Sequence, residues 1–96
     1  MAKTGTWKAR LRLRLYVAGN APNSVNAIAN AKSICDQHFA SNHELEIIDL
    51  IEHPIRGLAD GIVVTPTLVR MAPEPKRKVI GNLGDMTHVL TVLVNK

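Results

Sequence analysis

The sequence predicts one α/β domain that opens with a parallel βαβ unit, and three observations predict it. From Lys8 to Leu15 basic and apolar side chains alternate, the period of a strand with one covered face. Residues 22–39 carry Val25, Ile28, Ala31, Cys35 and Phe39 at steps of three and four, the period of a helix with one covered stripe. Residues 45–50, Leu-Glu-Ile-Ile-Asp-Leu, follow a short polar loop and read as a second strand. A helix between two strands returns the chain to lie parallel to its start.

Residues 1–6 have no apolar period and read as a loose leader, which leaves 7–96 as a single domain. The first strand spans 11–17 and ends where Ala18-Gly19-Asn20 breaks the pattern. Pro22 suits the first helical turn, where its missing N–H would have no partner anyway. After the second strand His53-Pro54 marks a stop, 55–61 reads as a short helix, and 62–71 is strand-like but interrupted by Pro66. Pro73-Glu74-Pro75 reads either as a stiff turn or as a simple strand connection. Residues 85–94 conflict with themselves. Met86, Val89, Leu90 and Leu93 share one side of a helix, yet four of the six residues from Val89 to Val94 are β-branched, which favours strand.

The 96 residues bury roughly 60 to 65% of their unfolded surface, so the stability margin is thin and self-association would help. The net charge of +4 is modest and is concentrated in two groups, Lys8, Arg10, Arg12 and Arg14 on the first strand and Arg70, Lys76, Arg77 and Lys78 around the proline turn. These read as solvated faces. A nucleic-acid role is not expected, because Trp7, Tyr16 and Phe39 are too few and too scattered to stack bases. No apolar run approaches the about 20 residues needed to cross a bilayer, so no membrane association is expected. A lone Cys35 and the lack of a cationic, apolar leader predict a cytoplasmic protein.

No enzyme is expected. Cys35 lies in the fourth turn of its helix, away from the N-terminal dipole that would activate a thiolate. Cys35, His38 and His43 lack a fourth ligand for a closed zinc site, and no other metal or cofactor site is visible. Glu44, Glu46, Asp49, Glu52, Asp60 and Asp85 show no paired spacing and are expected to face water. Asn20 to Ser24 is the one polar turn read as functional, with Asn20 and Asn23 as partner-binding candidates, because binding residues concentrate on loops held by rigid elements.

Strand, helix and Thr65-Pro66 together make a thioredoxin-related domain, except that the turn where a thioredoxin carries two cysteines reads Ala18-Gly19-Asn20-Ala21-Pro22-Asn23-Ser24. The block from Leu15 to Ser24, followed by Ile48-Asp49-Leu50, Thr65-Pro66-Thr67-Leu68 and Val79-Ile80-Gly81-Asn82-Leu83, strongly resembles the KaiB family of circadian clock proteins. The match runs over about 11–93. The resemblance implies a non-enzymatic regulator that binds a hexameric KaiC-type ATPase ring, with a KaiA-like protein or a thioredoxin-like sensor-kinase domain as further partners. It also implies two folds, a tetrameric ground state of order βαββααβ and a monomeric thioredoxin-like state of order βαβαββα.

Thr65 and Pro66, whose peptide bond the thioredoxin comparison makes cis, join Asn20 and Asn23 as candidates by the resemblance. So do Asn26 and Gly61, which stand where cyanobacterial members often carry basic residues. Val92-Leu93-Val94 replaces a Gly-Leu-Asp stretch, and Val89, Val92 and Val94 mark the switching segment. Their strand preference predicts that the isolated protein rests as the homo-tetramer in the βαββααβ order.

Overall fold

The structure, a computed structural model, describes residues 11–94; the loose leader at 1–6 and the first part of the basic alternation, Lys8 and Arg10, lie outside them. The elements are β1 (Leu11–Val17), α1 (Pro22–His38), β2 (His43–Asp49), α2 (Arg56–Ala59), β3 (Thr67–Ala72), β4 (Arg77–Ile80) and α3 (Met86–Val94). One sheet in the order β2-β1-β3-β4 holds all four strands. The pair β1 and β2 is parallel, with Leu13 opposite Leu45 and Val17 opposite Asp49. β3 runs antiparallel to β1 and β4 antiparallel to β3.

The period-2 pattern of β1 sets the layers. Leu11, Leu13, Leu15 and Val17 face one side and pack with Ala27, Ala31, Ile34 and Cys35 of α1, Leu68 of β3, Val79 of β4, and Val89 and Leu93 of α3. The other side holds a smaller cluster of Tyr16, Ile48 and Val69, extended by Leu50, Ile62 and Met71. Gly57 of α2 sits against Leu50 and Ile62 there, so α2 covers one end of the face that α1 and α3 leave open.

The buried stripe of α1 is rotated from the expected one. Val25 is half exposed, and Ser24, Ala27, Ala31, Ile34 and Cys35 face the sheet, with Ile28 and Phe39 at the margin. Ser24 causes the rotation: its hydroxyl turns back to accept a hydrogen bond from the Ala18 N–H at 3.1 Å, which points position 24 inward and position 25 outward.

The described order is βαβαββα, not the βαββααβ order expected of the isolated protein. The C-terminal segment is helical despite its β-branched residues. Val89 and Leu93, four residues apart, both enter the main core, and burying two such side chains is worth about 1.5 to 3 kcal/mol each. That outweighs a propensity deficit of a few tenths of a kcal/mol per β-branched residue, on the order of 1 to 2 kcal/mol in all.

Candidate docking surface

The register puts four loops at one end of the sheet. β1 and β2 both finish there, at Val17 and Asp49, while Thr67 at the start of β3 pairs with Tyr16 and with Ile80 at the end of β4. In open α/β sheets this end, beyond the C-termini of parallel strands, is where partners are received. Asp49 ties two of the loops together: its Oδ1 accepts from the Gly19 N–H at 3.0 Å and from the Ile51 N–H at 2.9 Å. Gly19 needs its positive φ of 57° to make the turn, and a Cβ there would lie 3.0 Å from the Ile51 side chain.

Asn20, Asn23 and Asn26 are all exposed, so the first turn is structured by Ser24 and Asp49 while its asparagines face solvent. Thr65-Pro66 is a cis peptide, as expected, with Pro66 buried and its carbonyl accepting from the Gly81 N–H at 2.9 Å. Gly61 follows α2 with φ of 64° and lies near Thr67, Lys78 and Ile80, beside the segment that leads into Thr65. The candidates thus fall in two places at the same end: Asn20, Asn23 and Asn26 at the start of α1, and Gly61, Thr65 and Pro66 between α2 and β3. Val89 is buried in α3, Val92 is half buried and Val94 is exposed.

The segment joining β2 to β3, which passes through α2 and is called the ledge below, exposes several large apolar side chains. Ile51 is 68% exposed, Ile55 78%, Leu58 76% and Val63 90%, with Val64 also open. An open cleft of about 340 Å³ runs beside the ledge, lined by Glu52, His53, Pro54, Ile55 and Arg56. The signal in the sequence is that Ile51, Ile55, Leu58 and Val63 are interspersed with Glu52, His53, Arg56 and Asp60 in a segment too short to build one long apolar face.

Arg12 and Arg14 do share one face of β1, but the face is not a basic stripe. Glu44 and Glu46 of the neighbouring strand answer them, Arg12 Nε lying 3.1 Å from Glu44 and Arg14 Nε 3.3 Å from Glu46, while Arg56 reaches Glu46 at 2.9 Å. Two further corrections concern the acids expected to face water. Asp49 is partly buried and bonded as described. Asp60 is buried, accepting from the Tyr16 hydroxyl at 2.6 Å and from Lys76 Nζ at 3.2 Å. Burial alone would raise the Asp60 pKa; the hydrogen bonds from Tyr16 and Lys76 and the charges of Lys76 and Arg14 outweigh it and hold the carboxyl below its usual range. Burial and the bond to Asp60 push the Tyr16 phenol up.

Cys35 is buried in the main core, and burial, with Asp36 nearby, pushes its thiol up to about 11. His43 Nδ1 lies 2.7 Å from the Phe39 carbonyl oxygen, joining the end of α1 to β2.

A family model described as the KaiB domain matches residues 14–94. The chain belongs to the KaiB family. It is 44% identical over 85 residues to the circadian clock oscillator protein KaiB of Gloeothece citriformis, covering 88% of this chain and 80% of that one. It is 46% identical over 78 residues to the KaiB of a Nostoc species, covering 81% and 72%. Among solved structures, this KaiB-family chain superposes on the N-terminal domain of Synechococcus elongatus SasA with a TM-score of 0.73 at 25% identity, covering all of this chain and 90% of that one. Fasciola hepatica thioredoxin gives 0.74 at 14% identity, covering 95% and 86%. The fold of this KaiB-family chain is thioredoxin-like.

Proposed function

We propose that the chain is a non-enzymatic regulator, cytoplasmic in location, that docks through the ledge around α2 on a hexameric ATPase ring of the KaiC type. There it modulates the ring's phosphorylation and ATPase cycle, in a circadian or other timing role. The observation that carries this reading is the ledge itself. Ile51, Ile55, Leu58 and Val63 are all largely exposed within the one segment that joins β2 to β3, and apolar exposure concentrated in this way marks a binding surface. The relatives' name, circadian clock oscillator protein, supports the timing role.

Asn26 and Gly61 leave two positions of this surface without a charge of their own. A cation stands beside Gly61 all the same, because Lys78 Nζ lies 3.6 Å from where a Cβ would be. The Lys78 cation suits an acidic docking face. The thioredoxin-like fold supports competition for that face with a thioredoxin-like sensor-kinase domain, and a KaiA-like protein is a further partner in the same proposal. The homo-tetramer of βαββααβ order belongs to it as a second form, supported by the strand preference from Val89 to Val94. A protein that stays monomeric in light scattering at micromolar concentration removes that form.

Size-exclusion chromatography with a KaiC-type hexamer, across nucleotide states and temperatures, tests the main reading. Co-elution is expected, and its loss in Leu58→Ser places the contact on the ledge. No complex under any condition would turn the reading toward its alternative, a thioredoxin-like interaction protein of stress response or signalling.

A further inference from the structure

Helix α2 has four residues and buries only Gly57, too little apolar surface to hold a segment in one place. Yet α2 carries Leu58 and leads into Val63, two of the exposed apolar side chains of the proposed docking surface. Beside the packing of Gly57 on Leu50 and Ile62, what ties its end to the sheet is the carboxylate of Asp60, the residue directly after the helix, whose side chain is 1% exposed. Its Oδ2 accepts from the Tyr16 hydroxyl at 2.6 Å and lies 3.4 Å from Arg14 Nη1, and its Oδ1 accepts from Lys76 Nζ at 3.2 Å. Tyr16 is fully buried in the middle of the sheet, so its hydroxyl is a fixed point, and it also reaches the Arg56 carbonyl at 3.4 Å. Three elements, β1, the end of α2 and the turn between β3 and β4, therefore converge on one carboxylate.

The main core lies on the opposite face of the sheet and shares no residue with this cluster. Buried ion pairs often stabilise a fold no better than apolar groups of equal volume, and what they supply is a defined geometry. We infer that Asp60 is the positioning residue of the docking surface: its bonds to Tyr16, Arg14 and Lys76 set where Leu58 and Val63 stand. Partner affinity then depends on a carboxylate that the partner does not touch. The inference rests on the docking reading above.

The test compares Asp60→Asn, Lys76→Met and Leu58→Ser in the full chain, by titration against a KaiC-type hexamer and by amide hydrogen exchange without it. Asp60→Asn keeps the side chain's size but cannot balance two cations. It is expected to weaken ring binding by about tenfold and to speed exchange across 58–64 by about tenfold, with exchange at Leu13, Leu15 and Ala31 changed less than about twofold. Lys76→Met, which removes one bond at an exposed lysine, is expected to act in the same direction and less, and it stands in if Asp60→Asn does not fold. Acceleration spread evenly over the chain, or none at 58–64, overturns the positioning role. Parent-like affinity in Asp60→Asn while Leu58→Ser binds weakly overturns the inference and leaves the docking reading standing. Parent-like affinity in Leu58→Ser removes the docking reading instead, and exchange at 58–64 then decides the positioning role by itself.

Discussion

The Arg70 guanidinium donates to the Leu93 carbonyl at 3.1 Å, across the core from β3 to the last turn of α3. The same Nη1 reaches the Val92 carbonyl at 3.1 Å, and Nη2 reaches the Pro75 carbonyl at 2.8 Å. The last carbonyls of a helix have no intrahelical partner, and a cation is favoured where the helix dipole ends. Arg70 supplies both donor and charge from a fully buried position. A segment whose own residues favour strand is thereby closed off as a helix. Burial, with Arg77 nearby, lowers the Arg70 pKa from its ordinary value, which still leaves the group charged at neutral pH.

Arg70→Met should therefore loosen α3 first. It keeps an unbranched apolar chain of similar reach but removes every donor, leaving the carbonyls of Val92 and Leu93 unpaired at a cost of about 2 to 4 kcal/mol. The expected result is a lower urea midpoint together with a smaller helical signal in far-UV circular dichroism. A helical signal equal to the parent's would show that Val89 and Leu93 hold α3 without the arginine.

The Asp60 cluster predicts a plateau in pH. Its carboxyl titrates below the usual value in the folded protein, so its stabilisation is complete above about pH 4 and is lost as pH falls through the folded value. Tyr16 is shifted upward, so its share is present below about pH 10 and is lost as pH rises through the folded value. Exchange protection across 58–64 should be flat from about pH 5 to 9 after correction for intrinsic rates, and should fall on either side. The acid limb should disappear in Asp60→Asn.

Val63→Ser isolates binding from stability. The side chain is 90% exposed, so its replacement should move the unfolding free energy by less than about 0.5 kcal/mol. Ring affinity should nevertheless fall measurably in a titration. An affinity matching the parent's would take Val63 out of the contact.

Cys35 should be inert to thiol reagents in the native state. Its thiol is buried in the core and pushed up to about 11, so the thiolate is scarce at neutral pH. Modification by an aromatic disulfide reagent should follow global unfolding. Fast labelling of the folded protein would reopen a thiol function.

Elements with a local signature were legible in the sequence. β1 and α1 followed from period 2 and period 3.6, Pro22 marked the first helical turn, and the sequence resemblance already gave the KaiB family through the Ala18 to Ser24 block. The expected stripe on α1 holds at Ala31 and Cys35, with Ile28 and Phe39 at its margin, and fails at Val25, because Ser24, a polar residue, turns inward to hold the Ala18 amide. Asp60 was read as a solvated acid because its three partners are 16, 44 and 46 residues away. No local pattern reports such a cluster.

The sequence by itself determined the βαβ start and the cysteine-free turn, because strand and helix periods and turn chemistry are written in neighbouring residues, and its blocks from Leu15 to Ser24 and from Val79 to Leu83 carried the resemblance to the family. Only the tertiary structure decided that 86–94 is helix, that the basic side of β1 is matched by Glu44 and Glu46, and that Ile55, Leu58 and Val63 stay exposed to solvent. The physical reason is the same in each case. Competing local preferences of a few tenths of a kcal/mol per residue are settled by burial and hydrogen bonds between residues far apart in the chain.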